Sequence, residues 1–266
     1  MSIVLNGQKI ATPGLETVSW LDDPHVPQAT DGSRRTKWIR AIVLHTVHGK
    51  IGSLKPGFKA STRAEAYAKY QANTSRDVSW DYTIDTDGTI IVSNDPLEKY
   101  TWQATSVNPF TLGIEFVQDD DGALYKGQMD TGVQFLDFLT RELAKREHPI
   151  QRQVPMNAQG KPVRGIIPRI VNASSAQSVV GIYGHRNQTS NRGPGDPGDF
   201  IFEALLQAGY KGFNLDGGED LDFWKGIQQR MGITGKSADG VPGVATQKKL
   251  EEAGHKYGLW TPRPGD

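Results

Sequence analysis

Two histidines and one aspartate stand where a chain can aim them. His45 ends the apolar, β-branched run "IVLHT" (residues 42–46), and His185 follows a second such run, Val179, Val180, Gly181, Ile182 and Tyr183. Asp196 comes shortly after, between Gly195 and Pro197, in "GHRNQTSNRGPGDPG" (184–198), a stretch rich in turn-forming residues. Two imidazoles and one carboxylate make a three-ligand zinc set that leaves a fourth position open, the arrangement of catalytic zinc sites. Each residue alone has a plainer reading: a histidine at a strand end is commonly structural, and Asp before Pro is common in turns. His48 competes with His45, but it belongs to the loop after the run, whereas His45 continues it. The chain has no cysteine, so thiolate sites and disulfides are excluded and His, Asp and Glu remain as metal ligands.

Such residues need a rigid frame, and the pattern supplies one. Residues 38–46 read as a short buried strand, and residues 61–73 carry alanines and aromatics at helical spacing. "SWDYTIDTDGTIIVSN" (79–94) reads as two strands about an Asp87-Gly88 turn, and "LGIEFVQ" (112–118) as another strand. Residues 131–147 predict an amphipathic helix, with Val133, Phe135, Leu136, Leu139 and Leu143 approximating one face. Residues 148–176, with several prolines and few periodic positions, read as an irregular insertion. A strand at 179–183, the loop described above and a helix near 199–208 follow. Residues 1–36 are mixed, with Pro13, Pro24 and Pro27 breaking any long element. The expected architecture is α/β, a mixed central β-sheet flanked by helices. Composition shifts to Gly and Asp at 214–222, and two short helical patterns follow. The expected domains are therefore a catalytic unit over 1–213, a linker over 214–220 and a small helical C-terminal module over 221–266.

Composition narrows the function classes. Of 266 residues, 30 are basic and 30 acidic, so no general field for nucleic acid is implied. A 23% charged and 36% hydrophobic chain is globular rather than disordered. No apolar run approaches the ~20 residues that cross a bilayer. The N-terminus lacks the basic and long apolar regions of a Sec signal, so a substrate outside the cytoplasm calls for another delivery route.

"IVLHT", "SWDYTIDTDGTI", "LGIEF" and "GHRNQTSNRGPGDPG" occur in the order seen in the zinc-dependent N-acetylmuramoyl-L-alanine amidases of the type 2 amidase family. That family includes phage endolysins and the animal peptidoglycan recognition proteins. The resemblance spans roughly residues 38–206. It implies a Zn2+ ion held by His45, His185 and Asp196 at one end of the sheet. It also implies hydrolysis of the amide between N-acetylmuramic acid and L-alanine in bacterial peptidoglycan. Glu115 matches the glutamate of the family's "GIE" and takes from it the role of general base; read without the family, Glu115 is a residue on a solvated strand face.

The sequence also departs from the pattern. Many relatives carry Lys or Arg two residues before the DPG aspartate, to stabilise the oxyanion; here that position is Pro194, and Arg192 is the nearby cation. Arg192 as an exposed loop residue is the alternative. Asp81 replaces the histidine of the commoner "SWHYT", and Gln103 in "TWQATSVN" replaces the histidine of "WHAG". Trp80 is a substrate wall, an N–H donor or a plain core aromatic. Trp102 and Asn108 are candidates to line the glycopeptide groove.

Residues 227–254 resemble a peptidoglycan-binding module with a "DGxxGxxT" turn, here Asp239, Gly240, Gly243 and Thr246. A generic helical hairpin is the other reading. A wall anchor would raise the local concentration of substrate. The sequence thus predicts a monomeric peptidoglycan amidase of phage endolysin type, released through holin-made lesions or carried on a particle. A non-catalytic peptidoglycan receptor of the same fold is the main alternative. A glycosidase with paired carboxylates is a third.

Overall fold

The computed structural model describes residues 1–21, 23, 35, 37–47, 61–117, 124–157, 160–167, 170, 179–189 and 196–213, together with 229 and 232. The strands are β1 (Ser2–Leu5), β2 (Gln8–Ala11), β3 (Thr17–Ser19), β4 (Ala41–Val47), β5 (Tyr82–Ile84), β6 (Ile90–Val92), β7 (Thr111–Val117), β8 (Gln153–Pro155), β9 (Gly181–Gly184) and β10 (Lys211–Phe213). The helices are α1 (Ser61–Asn73), α2 (Lys126–Ala144) and α3 (Asp199–Gln207). Six strands form one mixed sheet in the order β3-β6-β5-β7-β4-β9. β4 runs parallel to both β7 and β9, β5 runs parallel to β7, and only β5 and β6 pair antiparallel.

The period of two along each strand divides the sheet into two chemically different faces. Ile42 and Leu44 of β4, Leu112, Ile114 and Phe116 of β7, and Ile182 of β9 turn to one face. There they pack on Phe135, Leu136, Leu139 and Leu143 of α2 and on Ile201, Phe202 and Leu205 of α3. The intervening residues form the other face. Val43 and Tyr183 join one apolar cluster with Val107, Phe110, Val163 and Ile167, while Ile91 and Val117 join another with Ala64 and Ala68 of α1. His45, Glu115 and Thr83 share this second face by register.

The mixed sheet and flanking helices are as the sequence predicts, with four differences of detail. Residues 1–36 hold a hairpin, β1–β2, whose turn residues Asn6 and Gly7 have φ of 53° and 72°, as a type I′ turn requires. Asp95 fastens that turn by accepting the Asn6 and Gly7 N–H groups at 3.0 and 2.7 Å. The insertion at 148–176 contains β8, paired in parallel with β10. α2 begins at Lys126 rather than 131, because its first turn is anchored by a polar residue: the buried Gln128 amide donates to the Ile84 and Val117 carbonyls at 2.9 and 2.7 Å. β9 begins at Gly181, two residues later than expected.

Asp81, at the entry to β5, is fully buried. Its Oδ2 accepts the Gly113 N–H at 2.8 Å and the Thr101 hydroxyl at 3.3 Å, while Oδ1 has no hydrogen-bond partner among the described residues. Burial pushes its carboxyl up to about 7, against the pull of Arg35 and the two bonds, and Asp95 adds to the rise. The folded protein therefore keeps a proton that the unfolded chain releases near 3.8. Stability should fall by up to about 1.4 kcal/mol per pH unit across that window, and level off above it. Asp81→Asn is expected to flatten this slope in urea unfolding between pH 5 and 8; an unchanged slope would place the titration elsewhere.

Candidate metal centre

The site forms toward the carboxyl ends of three neighbouring parallel strands, where β9 ends level with Leu44 and β4 and β7 run on, paired, to Val47 and Val117. One step beyond the last paired residues of β4 and β9, Leu44 and Gly184, lie His45 and His185. On the other side of β4, Glu115 is the register partner of His45, and Thr83 that of Glu115. After His185 the chain makes a short 3-10 turn, His185–Asn187, then returns, with the Arg186 N–H donating to the Asp196 carbonyl at 2.9 Å.

His45, His185 and Asp196 are 3%, 5% and 1% exposed, and one donor atom from each lies within 4.8 Å of the others. The two Nδ1 atoms are 3.0 Å apart, and His185 Nδ1 is 3.4 Å from Asp196 Oδ2. Asp196 Oδ1 is committed elsewhere: it accepts the Thr46 N–H at 2.9 Å, which aims Oδ2 inward. His45 Nε2 faces Gln103 Oε1 at 2.9 Å. Burial opposes ionisation of Asp196, but the His185 bond, the two imidazoles and the Thr46 N–H outweigh it and hold the carboxyl below its ordinary value. His148, the third described histidine, makes the contrast: its Nδ1 accepts the Ile39 N–H at 2.9 Å, an ordinary structural role.

The donor set fits zinc. Bonds of about 2.0–2.1 Å in a tetrahedral arrangement put neighbouring donors about 3.3 Å apart, near the 3.0 and 3.4 Å that separate His185 Nδ1 from His45 Nδ1 and from Asp196 Oδ2. Two buried imidazoles and a buried carboxylate that converge in this way form a donor set that a cation could join.

The turn after His185 is built to hold still. Asn187 is fully buried; its Oδ1 accepts the Gly184 N–H at 2.9 Å, and its amide donates to the Val163 and Gly165 carbonyls at 3.0 and 2.9 Å. Arg186 is 1% exposed, pairs with Asp199 at 2.9 Å and lies over the Phe202 ring. Asp199 also pairs with Arg164. Sequence reasoning missed Arg186 and Asn187, since both sit in a segment that reads as loop. The signal available was two long polar side chains directly after a strand-end histidine.

Among the other residues singled out, Trp80 is buried, and its indole N–H donates to Thr83 Oγ1 at 2.7 Å. That leaves the ring, not the N–H, as what Trp80 can present. Trp102 is half-buried, beside Gln103 in the chain. Asn108 is half-buried, and its Oδ1 accepts the Ala104 N–H at 2.7 Å. Arg192, Pro194, His48 and nearly all of the C-terminal module lie outside the described residues.

A buried His-His-Asp set near the ends of parallel strands, with a carboxylate in register beside it, could hold a metal ion. The family model of N-acetylmuramoyl-L-alanine amidases matches residues 34–199, more than half of the chain. The chain belongs to this family and is an N-acetylmuramoyl-L-alanine amidase, an enzyme of peptidoglycan. Among solved structures it is similar to a mutant endolysin from Bacillus subtilis (21% identity, 49% of this chain and 78% of that one, TM-score 0.36). The PlyG catalytic domain (16%, 72% and 94%, 0.44) and an AmpD derivative (19%, 73% and 96%, 0.38) are also similar. No curated protein sequence matches the chain.

Asp199→Ala removes the carboxylate opposite a buried guanidinium and is expected to lower stability by about 3 kcal/mol in urea unfolding. A loss below about 0.5 kcal/mol would mean that Arg186 is held by other contacts.

Proposed function

We propose that His45, His185 and Asp196 hold a zinc ion, and that the chain uses it to cut the amide between N-acetylmuramic acid and L-alanine as a phage-type endolysin. The observation that carries the metal reading is the convergence of three buried donors, with Glu115 in register beside His45. Bound zinc supplies a Lewis acid that polarises the carbonyl and makes water acidic enough to attack near neutral pH.

The rest falls to the chain's own groups. Glu115 accepts a proton from the attacking water and returns it to the alanine nitrogen as the C–N bond breaks. The products are a lactyl carboxylate on the sugar and a free amine on the stem peptide. Asp196 stays ionised because Thr46 and the imidazoles favour its anion. Arg192 is proposed as the cation facing the oxyanion. Trp80, Trp102 and Asn108 are proposed to line the glycopeptide groove, with Trp80 offering its ring. The endolysin role draws support from the wall-binding pattern in residues 227–254, which would tether a monomeric enzyme to its substrate.

Digestion of purified peptidoglycan with and without chelator, followed by mass spectrometry, tests the reading. New L-alanine amino termini are expected that vanish with chelator and return with zinc. Glu115→Gln should lower kcat by about 10²–10⁴-fold while zinc affinity holds. New reducing ends would make the enzyme a glycosidase. Protein that pellets with walls and cuts nothing would be a receptor, with Glu115 a plain strand residue.

A further inference from the structure

We propose that Gln103 is a positioning residue that, held from behind by Thr111, fixes the tautomer of His45 and turns its Nδ1 lone pair toward His185 and Asp196. This rests on reading those three residues as metal donors. The Val107 carbonyl can only accept. The single hydroxyl proton of Thr111 goes to it, at 2.9 Å, so Thr111 Oγ1 accepts the next bond, from Gln103 Nε2 at 2.6 Å. The amide is thereby oriented, with Oε1 directed at His45 Nε2, 2.9 Å away. Oε1 carries no proton, so His45 Nε2 must donate, and a neutral imidazole with its hydrogen on Nε2 has a lone pair on Nδ1. That Nδ1 is the atom 3.0 Å from His185 Nδ1. A flipped amide would need the Thr111 proton for its own Oε1 and so would cost the bond from Thr111 to the Val107 carbonyl.

β7 is shaped to admit this amide. Gly113 pairs with Val43, two residues before His45, and a Cβ there would lie 2.7 Å from Gln103 Oε1 and 3.0 Å from its Cδ. Any larger residue at 113 displaces the acceptor from His45. Gln103 itself is 7% exposed, so water is poorly placed to substitute for it. Outer hydrogen bonds of this kind set the tautomer and orientation of metal-ligating histidines and change metal affinity by about 10–100-fold.

Two measurements on the full chain test the proposal: zinc affinity by competition with a chromogenic chelator, and the His45 tautomer by 15N NMR of the metal-free protein. The wild type is expected to bind zinc and to carry the His45 proton on Nε2. Gln103→Leu should weaken zinc binding about 10–100-fold with the fold intact by circular dichroism. Gln103→Glu, which keeps an acceptor on His45, should restore most of that loss. Gly113→Ala, which removes no polar atom, should weaken binding in the same direction, and it decides the matter if Gln103→Leu does not fold. Equal zinc affinity in the wild type and these variants, or a proton on His45 Nδ1, would overturn the role of Gln103 while leaving the metal site standing. A wild type that binds no zinc would remove the metal reading, and this inference with it.

Discussion

Everything at the site depends on the parallel register of β9, β4 and β7. Leu44 is level with Gly184, and His45 with Glu115, so the three strands deliver an imidazole, an imidazole and a carboxylate to one level of one face. A slip of one residue in β4 would turn His45 into the packing against α2 and Leu44 onto the polar face. The apolar set Ile42, Leu44, Ile114, Phe116 and Ile182, locked against α2 and α3, forbids that slip. Core packing on one side of the sheet thus fixes the chemistry on the other. The site lies toward the carboxyl ends of these parallel strands, where open α/β sheets commonly bind their ligands.

Burial of polar groups on that face is a cost that the surroundings offset only in part. Asp196 Oδ1 is satisfied by Thr46 and His45 Nε2 by Gln103, so each residue is held firmly by the atom that points away from the centre. The atoms that point inward are the two Nδ1 groups and Oδ2. Groups left this close in a water-poor site favour a cation between them. The turn that follows His185 is tied by Asn187 and Arg186, and the Arg186 N–H donates to the Asp196 carbonyl, so the second and third donors share one anchored segment of backbone.

The sequence made the sheet strands and the His-His-Asp grouping legible because these rest on local signals: β-branched runs, strand-end histidines and a Gly/Pro-rich turn. Where the reading fell short, the cause was a long-range contact or a short element. The "NG" turn of β1–β2 is a local hairpin signal, but its strands are only four residues each and are followed by three prolines, which obscure the pairing in the sequence. The first turn of α2 is invisible to apolar periodicity because Gln128 anchors it through hydrogen bonds. β8 and β10 are three residues each and exist through their pairing with each other. Gln103 stood out only as a departure from a resemblance; its place against His45, 58 residues away in the chain, becomes apparent only in three dimensions.

The most direct test of the central claim is anomalous diffraction at the zinc edge from crystals of the zinc-loaded protein. The expected result is one strong peak bonded to His45 Nδ1, His185 Nδ1 and Asp196 Oδ2, with Glu115 beside it. A peak bonded to other residues, or none at this place in zinc-saturated crystals, would contradict the account of how these strands build the site.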